Sequence, residues 1–141
     1  MKRIVLDTDV VIAGMRSPSG ASAALLLAAD RHEVLLLASL PLAMEYEAVC
    51  MRLEHRQAAG MTREEAKVFI DAVLAMTEPV EIYFLWRPQL RDPNDEIVLE
   101  AAINGQAEAI VTFNRRDYGN ATRRFGIEVL SPSAALERIR R

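Results

Sequence analysis

The chain has 141 residues, 51% of them apolar and 26% charged, with a formal net charge of −3, and these values predict one globular domain over residues 1–141. No apolar run approaches the roughly 18 residues of a membrane span, and the first residues lack a signal-peptide pattern, so we expect a cytoplasmic protein. The slightly negative charge argues against a protein that coats nucleic acid unaided, but it allows an enzyme that holds nucleic acid through local arginines.

The first predicted element is a short buried strand that delivers acids at its carboxyl end. Residues 4–6 are apolar, and Asp7-Thr8-Asp9 follows them before apolar residues resume. In open α/β sheets, ligands bind outside the carboxyl ends of the strands, so Asp7 is placed where chemistry usually occurs. The plainer interpretation is that Asp7 only caps the helix that follows.

The next elements are predicted from apolar periodicity. We expect helices over residues 10–15 and 21–31, a strand over residues 33–38, and one long helix from Ser39 to about Ala59. Glu45 lies at the border of the apolar stripe of that long helix, so it is the one carboxylate there that could turn towards a cleft. A solvated position on the flank of the stripe is the alternative.

A capping box and a proline bound the following segment. Gly60 ends the long helix, and Thr62-Arg63-Glu64-Glu65 opens the next one. Pro79 is expected to stop that helix, and a third strand is predicted over residues 80–85. Trp86 is expected to pack or to contact a partner.

Acids recur further along the chain, just before another apolar helix. Asp92 before Pro93 fits an N-cap followed by the first helical position, which puts Asp95 in the first turn. Asp117 lies in a polar segment, residues 113–118, that follows an apolar one. The helix dipole stabilises an acid in the first turn, so capping explains one of these aspartates but not all of them.

The order of these elements predicts an α/β fold. Two more strands are expected over residues 109–112 and 127–130, and Ser131-Pro132 opens a terminal helix. Strands that alternate with helices indicate a three-layer sandwich, with a mainly parallel central sheet and helices on both faces. In such a sheet the acid-bearing positions fall at strand ends or helix starts.

Four separate places in the chain carry these acids: Asp7, Glu45, the pair Asp92 and Asp95, and Asp117. Several carboxylates without a His or Cys cluster provide the hard oxygen ligands that suit Mg²⁺ or Mn²⁺. Such an ion activates water and stabilises the charge that develops on a phosphoryl group. The acids therefore predict metal-assisted hydrolysis of a phosphodiester.

The chain resembles the PIN domain family. The segments IVLDTDVVIAGM, LPLAMEYEAV, RDPNDEIVLEAA and AIVTFNRRDY occur in the order and spacing of a PIN domain, over essentially the whole chain. The branch that it resembles is the single-domain VapC-like toxins of bacterial toxin-antitoxin pairs. The resemblance implies an endoribonuclease that depends on Mg²⁺ or Mn²⁺ and cuts RNA. It also implies a homodimer and an antitoxin protein as partner, with Trp86, Tyr46 and residues 21–28 as candidate contact surfaces.

Carried over onto this chain, the resemblance assigns catalytic and metal-binding roles to Asp7, Glu45 and Asp95. Asp92 competes with Asp95 for the third place or acts as an outer ligand. The family often has an acid at the position where this chain has Asn114. The fourth place therefore stays open, with Asp117 as the candidate, either directly or through water.

Other residues near the acids are expected to support them. Asp9 stands where the family usually has Asn, and it either tightens metal binding or serves as a cap. Thr8 and Thr112 are expected to donate hydroxyl groups to metal-bound water or phosphate. Arg115 and Arg116 are expected to contact RNA phosphates, with a solvated loop as the alternative.

Two other functions are compatible with parts of the sequence. Asp7-Thr8-Asp9-Val10 fits the D-x-D-x-[TV] motif of haloacid-dehalogenase-like phosphatases, but that chemistry needs a lysine at a strand end. The two lysines, Lys2 and Lys67, lie at the wrong end of the first strand and inside a helix. The second alternative is a PIN-like module that binds RNA or protein without cutting, after loss of the acid at Asn114.

Overall fold

The computed structural model describes residues 1–85 and 89–141, so Trp86 and the prediction made for it lie outside the described residues. The described strands are β1 Arg3–Leu6, β2 Leu35–Ser39, β3 Thr77–Val80, β4 Ala109–Val111 and β5 Glu128–Leu130. They form one sheet in the order β3-β2-β1-β4-β5, and every pair is parallel. The predicted mainly parallel sheet is confirmed.

Helices occupy most of the remaining described residues. They are α1 Thr8–Arg16, α2 Ala21–Asp30, α3 Leu40–Cys50, α4 Leu53–Ala59, α5 Arg63–Ala75, α6 Pro93–Asn104 and α7 Pro132–Arg140. Two 3-10 helices, Arg115–Tyr118 and Ala121–Phe125, connect β4 to β5. No single helix in the described ranges is long and apolar enough to cross a membrane. The bent pair α1 and α2, which meet at 99°, reaches that length and composition only when taken together.

The order in which the chain adds strands to the sheet reverses next to β1, although all strands remain parallel. The chain steps from β1 to β2 to β3 and then crosses, through α6, to β4 on the other side of β1. Helix α6 packs against β1, β2 and β4, and a right-handed crossover puts it on the sheet face opposite to α1 and α2, as in the predicted three-layer sandwich. The reversal creates a crevice at the carboxyl ends of β1 and β4, the place where ligands bind in folds of this kind.

The central strands are apolar because helices cover both faces of the sheet. Ile4 and Val5 of β1 are fully buried and Leu6 is 1% exposed, while the three residues of β4 are fully buried. The two residues that follow these strands, Asp7 and Thr112, are polar. The core therefore ends abruptly at polar groups on the edge of the crevice.

Two predicted boundaries are wrong. The segment 39–59 forms two helices, because Arg52 adopts an extended conformation (φ −63°, ψ 137°) between α3 and α4. The third strand is Thr77–Val80 instead of residues 80–85. Pro79 lies inside this strand opposite Ala38, and it is tolerated because β3 is at the edge of the sheet, where a missing N–H breaks fewer hydrogen bonds.

Two of the predicted contact surfaces are mostly buried. Tyr46 is 2% exposed, and its hydroxyl donates a hydrogen bond to the carbonyl of Leu6. Helix α2 packs against α1 and α7, so most of residues 21–28 are covered as well. Leu27, at 53% exposure, is the exception in that segment. Tyr46 therefore holds the end of β1 instead of forming a surface.

The predicted capping box gives a stability test. The Glu65 N–H donates to Thr62 Oγ1 (3.1 Å), and the Thr62 N–H donates to Glu65 Oε1 (2.9 Å). We expect Thr62→Ala to lower the free energy of unfolding by about 1 kcal/mol, because the first turn of α5 loses its cap. Thr62→Ser keeps the hydroxyl and should stay close to the wild type. Urea denaturation followed by circular dichroism measures both, and equal losses for the two variants would contradict the prediction.

Candidate functional site

Asp7 lies at the crevice between β1 and β4. Its N–H donates to the Val111 carbonyl of β4 (2.9 Å). Its Oδ1 accepts a hydrogen bond from the Thr8 N–H (2.7 Å), and Asp7 is thereby the N-cap of α1. Its Oδ2 accepts from the hydroxyls of Thr112 (2.8 Å) and Tyr118 (3.0 Å). Asp7 therefore caps a helix and also presents a carboxylate that three donors orient.

The two predicted threonines act on Asp7 itself. Thr112 is fully buried and gives its hydroxyl proton to the Asp7 carboxylate, and Thr8 contributes its backbone N–H. From the sequence, the hydroxyl groups of both threonines are expected to donate to metal-bound water or phosphate. In the structure Thr112 orients the acid instead, because its hydroxyl already donates to Asp7.

Asp9 joins the first turn of α1 to the segment that follows β4. Its Oδ2 accepts from the Phe113 N–H (3.1 Å) and from Asn114 Nδ2 (3.1 Å), and it lies 3.4 Å from Thr112 Oγ1, whose proton points to the nearer Asp7. The Asn114 N–H donates to Thr112 Oγ1 (3.0 Å). The other carboxylate oxygen, Asp9 Oδ1, is buried and has no hydrogen-bond partner among the described residues. Asp9 is thus tightly held on one side and unsatisfied on the other.

Asp95 approaches the same crevice from α6. The predicted cap is present, since Asp92 is the N-cap of α6 and its side chain accepts from the Asn94 N–H (2.9 Å). Asp95 is 8% exposed, and its side chain has no hydrogen bond or ion pair with any described residue. Together with Asp92 and the exposed Asp117, it lines a cleft of about 450 Å³. Three of the predicted acids therefore meet in one cleft.

Burial and mutual repulsion raise the pKa values of these aspartates. The pKa of Asp95 rises to about 7, first through burial and then through the charges of Asp7, Asp92, Asp117 and Asp9. The pKa of Asp9 rises to about 6, through burial and the charge of Asp7. Burial also raises the pKa of Asp7, although the hydrogen bonds from Thr112 and Tyr118 oppose this rise.

No described lysine or arginine forms an ion pair with these aspartates, although Arg91 and Arg116 line the same cleft. Neither residue type lies within 4 Å of Asp7, Asp9 or Asp95 in the described ranges. Lys67 pairs with Asp71 (3.0 Å) and Glu47 (3.5 Å) on α5 and α3, and Lys2 precedes β1 at the opposite end of the strand from Asp7. A phosphoaspartate mechanism at Asp7 therefore lacks its lysine.

Glu45 lies on α3, directly before the buried Tyr46. Its side chain is partly exposed, and it forms no hydrogen bond or ion pair with the described residues. The acids named above as raising the pKa of Asp95 are all aspartates. No described contact joins Glu45 to the other acids, and its role stays a prediction.

The donor set fits a divalent cation by its chemistry. The five aspartates offer hard oxygen ligands, the three nearest the crevice have raised pKa values, and Asp9 Oδ1 is buried without a partner. Among residues 1–85 and 89–141, however, no three His, Cys, Asp or Glu side chains are arranged so that they could hold a metal ion. Carboxylate ligands are therefore present at the crevice, but the described residues do not form a complete coordination sphere.

A second, larger groove of about 940 Å³ begins beside the acids. Arg115 and Arg116, the predicted phosphate contacts, line it on the first 3-10 helix, and Arg116 and Asp117 also line the acidic cleft. Sequence reasoning missed Arg123, which lines the same groove, and Tyr118, which donates to Asp7. The quoted segment AIVTFNRRDY ends in that tyrosine, but its spacing does not reveal the contact.

Comparison with known proteins adds two findings. A family model described as PIN domain matches residues 3–116. The structure is similar to a chain in the crystal structure of VapBC2 from Rickettsia felis bound to a DNA fragment from their promoter, with a TM-score of 0.63 and 15% identity. The match covers 92% of this chain and 98% of that chain, and at this identity it concerns the fold. No curated protein matches.

The raised pKa values give a pH test of stability. Because the folded pKa values of Asp9 and Asp95 (about 6 and about 7) exceed the ordinary value of 3.8, the folded chain binds more protons than the unfolded chain between these limits. In metal-free buffer, these acids should make the free energy of unfolding fall as the pH rises from 5 to 8. In Asp95→Asn, the decrease in the free energy of unfolding between pH 5 and pH 8 should be smaller than in the wild type, by on the order of 1 to 3 kcal/mol.

Urea denaturation at pH 5, 6, 7 and 8 in the presence of a chelator measures this effect. Asp30→Asn is the matched control, because Asp30 is exposed at the end of α2. The control should keep the wild-type pH dependence. A wild-type slope in Asp95→Asn would mean that Asp95 titrates normally.

Proposed function

This chain belongs to the PIN domain family, whose members are generally nucleases that use divalent metals, and we propose that it is a Mg²⁺- or Mn²⁺-dependent endoribonuclease. One observation carries the proposal. Asp7, Asp9 and Asp95 crowd the crevice at the ends of β1 and β4 with raised pKa values, and no described lysine or arginine forms an ion pair with them. Above these pKa values, where the acids are ionised, a site of this kind is costly for stability unless it binds a cation.

The proposed roles follow from position. Asp7 and Asp95 hold the metal, with Asp92, Asp117 and Glu45 as the further acids that the resemblance implies. When bound, a divalent ion supplies a more acidic water and neutralises charge on the phosphoryl group. Thr112, Tyr118 and the Thr8 N–H orient the Asp7 carboxylate, so that little reorganisation is needed on binding.

The fourth acid of the cluster is proposed to be Asp9. The resemblance places Asn at position 9 and an acid at position 114, whereas this chain has Asp9 and Asn114, so the two residue types are exchanged. The side chains of Asp9 and Asn114 contact each other at 3.1 Å. Because they touch, the exchange keeps one carboxylate and one amide at nearly the same place. This supports Asp9 over the exposed Asp117.

An exchange experiment tests this assignment. We expect Asp9→Asn to lower RNA cleavage about ten- to a hundredfold, the range typical for residues that support a metal site. The double variant Asp9→Asn with Asn114→Asp should recover most of the activity, since it returns one carboxylate to the pair. Initial rates over a Mn²⁺ titration measure the effect. A double variant no better than Asp9→Asn would leave Asp117 as the better candidate.

The catalytic proposal is tested with purified protein and labelled RNA. Single-stranded and structured RNA are incubated with and without Mn²⁺, using the wild type and Asp7→Asn. We expect cleavage that requires the ion and falls to background in Asp7→Asn. Mn²⁺ should also raise the free energy of unfolding at pH 8 in the wild type, because it binds the deprotonated acids. That stabilisation should be weaker in Asp95→Asn.

One observation favours a second function, a PIN-like module that binds RNA or a protein partner without cutting. In the described part of the chain, no three acids are arranged to hold a metal. RNA binding with equal, negligible cleavage by the wild type and Asp7→Asn, at every Mn²⁺ concentration, would support the module and overturn the nuclease.

We further propose that the chain is a toxin component that forms a homodimer and binds an antitoxin protein. The support is the PIN family assignment together with the similarity in fold to a chain of VapBC2. Light scattering after gel filtration should give a mass near twice 15.7 kDa. Expression of the wild type in a bacterial host should arrest growth, and expression of Asp7→Asn should not. Normal growth with the wild type would contradict the toxin assignment.

A further inference from the structure

Phe113 is an exposed aromatic residue whose backbone contacts one of the acids, Asp9. It is 55% exposed, although it lies between the fully buried Thr112 and the anchored Asn114. Single exposed apolar residues are common on protein surfaces and need no explanation by themselves. Phe113 differs in its position, since this residue lines the larger groove and its N–H donates to Asp9.

The backbone at Phe113 is held rigidly. Its N–H donates to Asp9 Oδ2 (3.1 Å), and the next residue, Asn114, is fixed by bonds to Thr112 Oγ1 (3.0 Å) and to Asp9 Oδ2 (3.1 Å). The phenyl ring is therefore presented to solvent from a fixed base. A binding surface of this kind loses little conformational entropy when a ligand covers it.

The groove that starts at Phe113 carries unpaired positive charge. Arg115, Arg116 and Arg123 line it, and none of the three forms an ion pair or a side-chain hydrogen bond with the described residues. The exposed Asp117 also lines this groove. The other acid of the groove, Glu128 on β5, is bound by Arg138 (2.6 Å). Its charge is therefore largely offset, and the arginines remain available for an anionic ligand.

We propose that Phe113 stacks against an unpaired base of the RNA substrate, while the three arginines contact the phosphates of the same strand along the groove. The inference rests on the proposed ribonuclease function and names the form of substrate that it takes. An aromatic face beside a basic groove is the combination that binds single strands, since base faces in a duplex are covered by their neighbours. Phe113 is thus proposed as a residue that determines the preference for single-stranded over duplex RNA.

Binding measured without cleavage tests the stacking. Fluorescence anisotropy with a short labelled single-stranded RNA is carried out in the Asp7→Asn background, in chelator. We expect Phe113→Ala to weaken binding about five- to a hundredfold, while Phe113→Trp keeps or improves it. Phe84→Ala is the matched control, because Phe84 is also exposed (58%) but its backbone is bound to Asn104, at the other end of α6 from Asp95. The control should bind like the parent.

An RNA series with one base removed at each position locates the contact. For the parent, we expect one abasic position to weaken binding about as much as Phe113→Ala does. In Phe113→Ala the same abasic position should have no further effect, because the stacking partner is already missing. Equal affinities for the parent and Phe113→Ala, or additive losses at every position, would overturn the proposal. Circular dichroism confirms that each variant is folded.

The arginines are tested by salt dependence in the same assay. Removing one phosphate contact from a single-strand complex should reduce the slope of log K against log salt by about 0.7. We expect this change for Arg115→Ala, Arg116→Ala and Arg123→Ala, whereas Phe113→Ala should leave the slope unchanged. Unchanged slopes in all three arginine variants would overturn the proposed phosphate contacts along the groove. Because no step requires cleavage, an inactive wild type would refute the nuclease and leave these outcomes intact.

Discussion

Repulsion among buried and partly buried carboxylates is the constraint on which this structure depends. The reversal of the chain between β3 and β4 brings acids from β1, α1 and α6 to one crevice, where burial and neighbouring charge raise their pKa values. The fold offsets part of this cost with hydrogen bonds to Asp7 and Asp9, from hydroxyl, amide and backbone donors. Costly groups that a fold holds so firmly are typical of functional sites.

The segment that follows β4 performs several tasks at once. Thr112 and Tyr118 orient Asp7, and Asn114 binds Asp9. The arginines of the same segment line the basic groove, and Asp117 lines the acidic cleft. Acidic and basic surfaces therefore share one short piece of backbone, so that a ligand phosphate on the arginines would lie close to the acids.

Local signals in the sequence predicted the parts of the fold that local chemistry determines. The acid at the end of β1, the Thr62 capping box and the Asp92 cap could be predicted because each depends on a few adjacent residues. The break between α3 and α4 could not, since no Gly or Pro marks residues 51–52. Nor could the bonds from Tyr118 and Asn114 to the acids, because they join positions about 105 to 111 residues apart.

The double duty of Asp7 has a consequence for how such a chain can change over evolution. The same carboxylate begins α1 and faces the crevice. Asn is as good an N-cap as Asp, whereas Ala is much poorer. An amide at this position would preserve the start of the helix while removing the charge on which the proposed metal binding depends, and a hydrocarbon would remove both. A single nucleotide change from Asp to Asn can therefore remove the charge at this position without removing the helix cap.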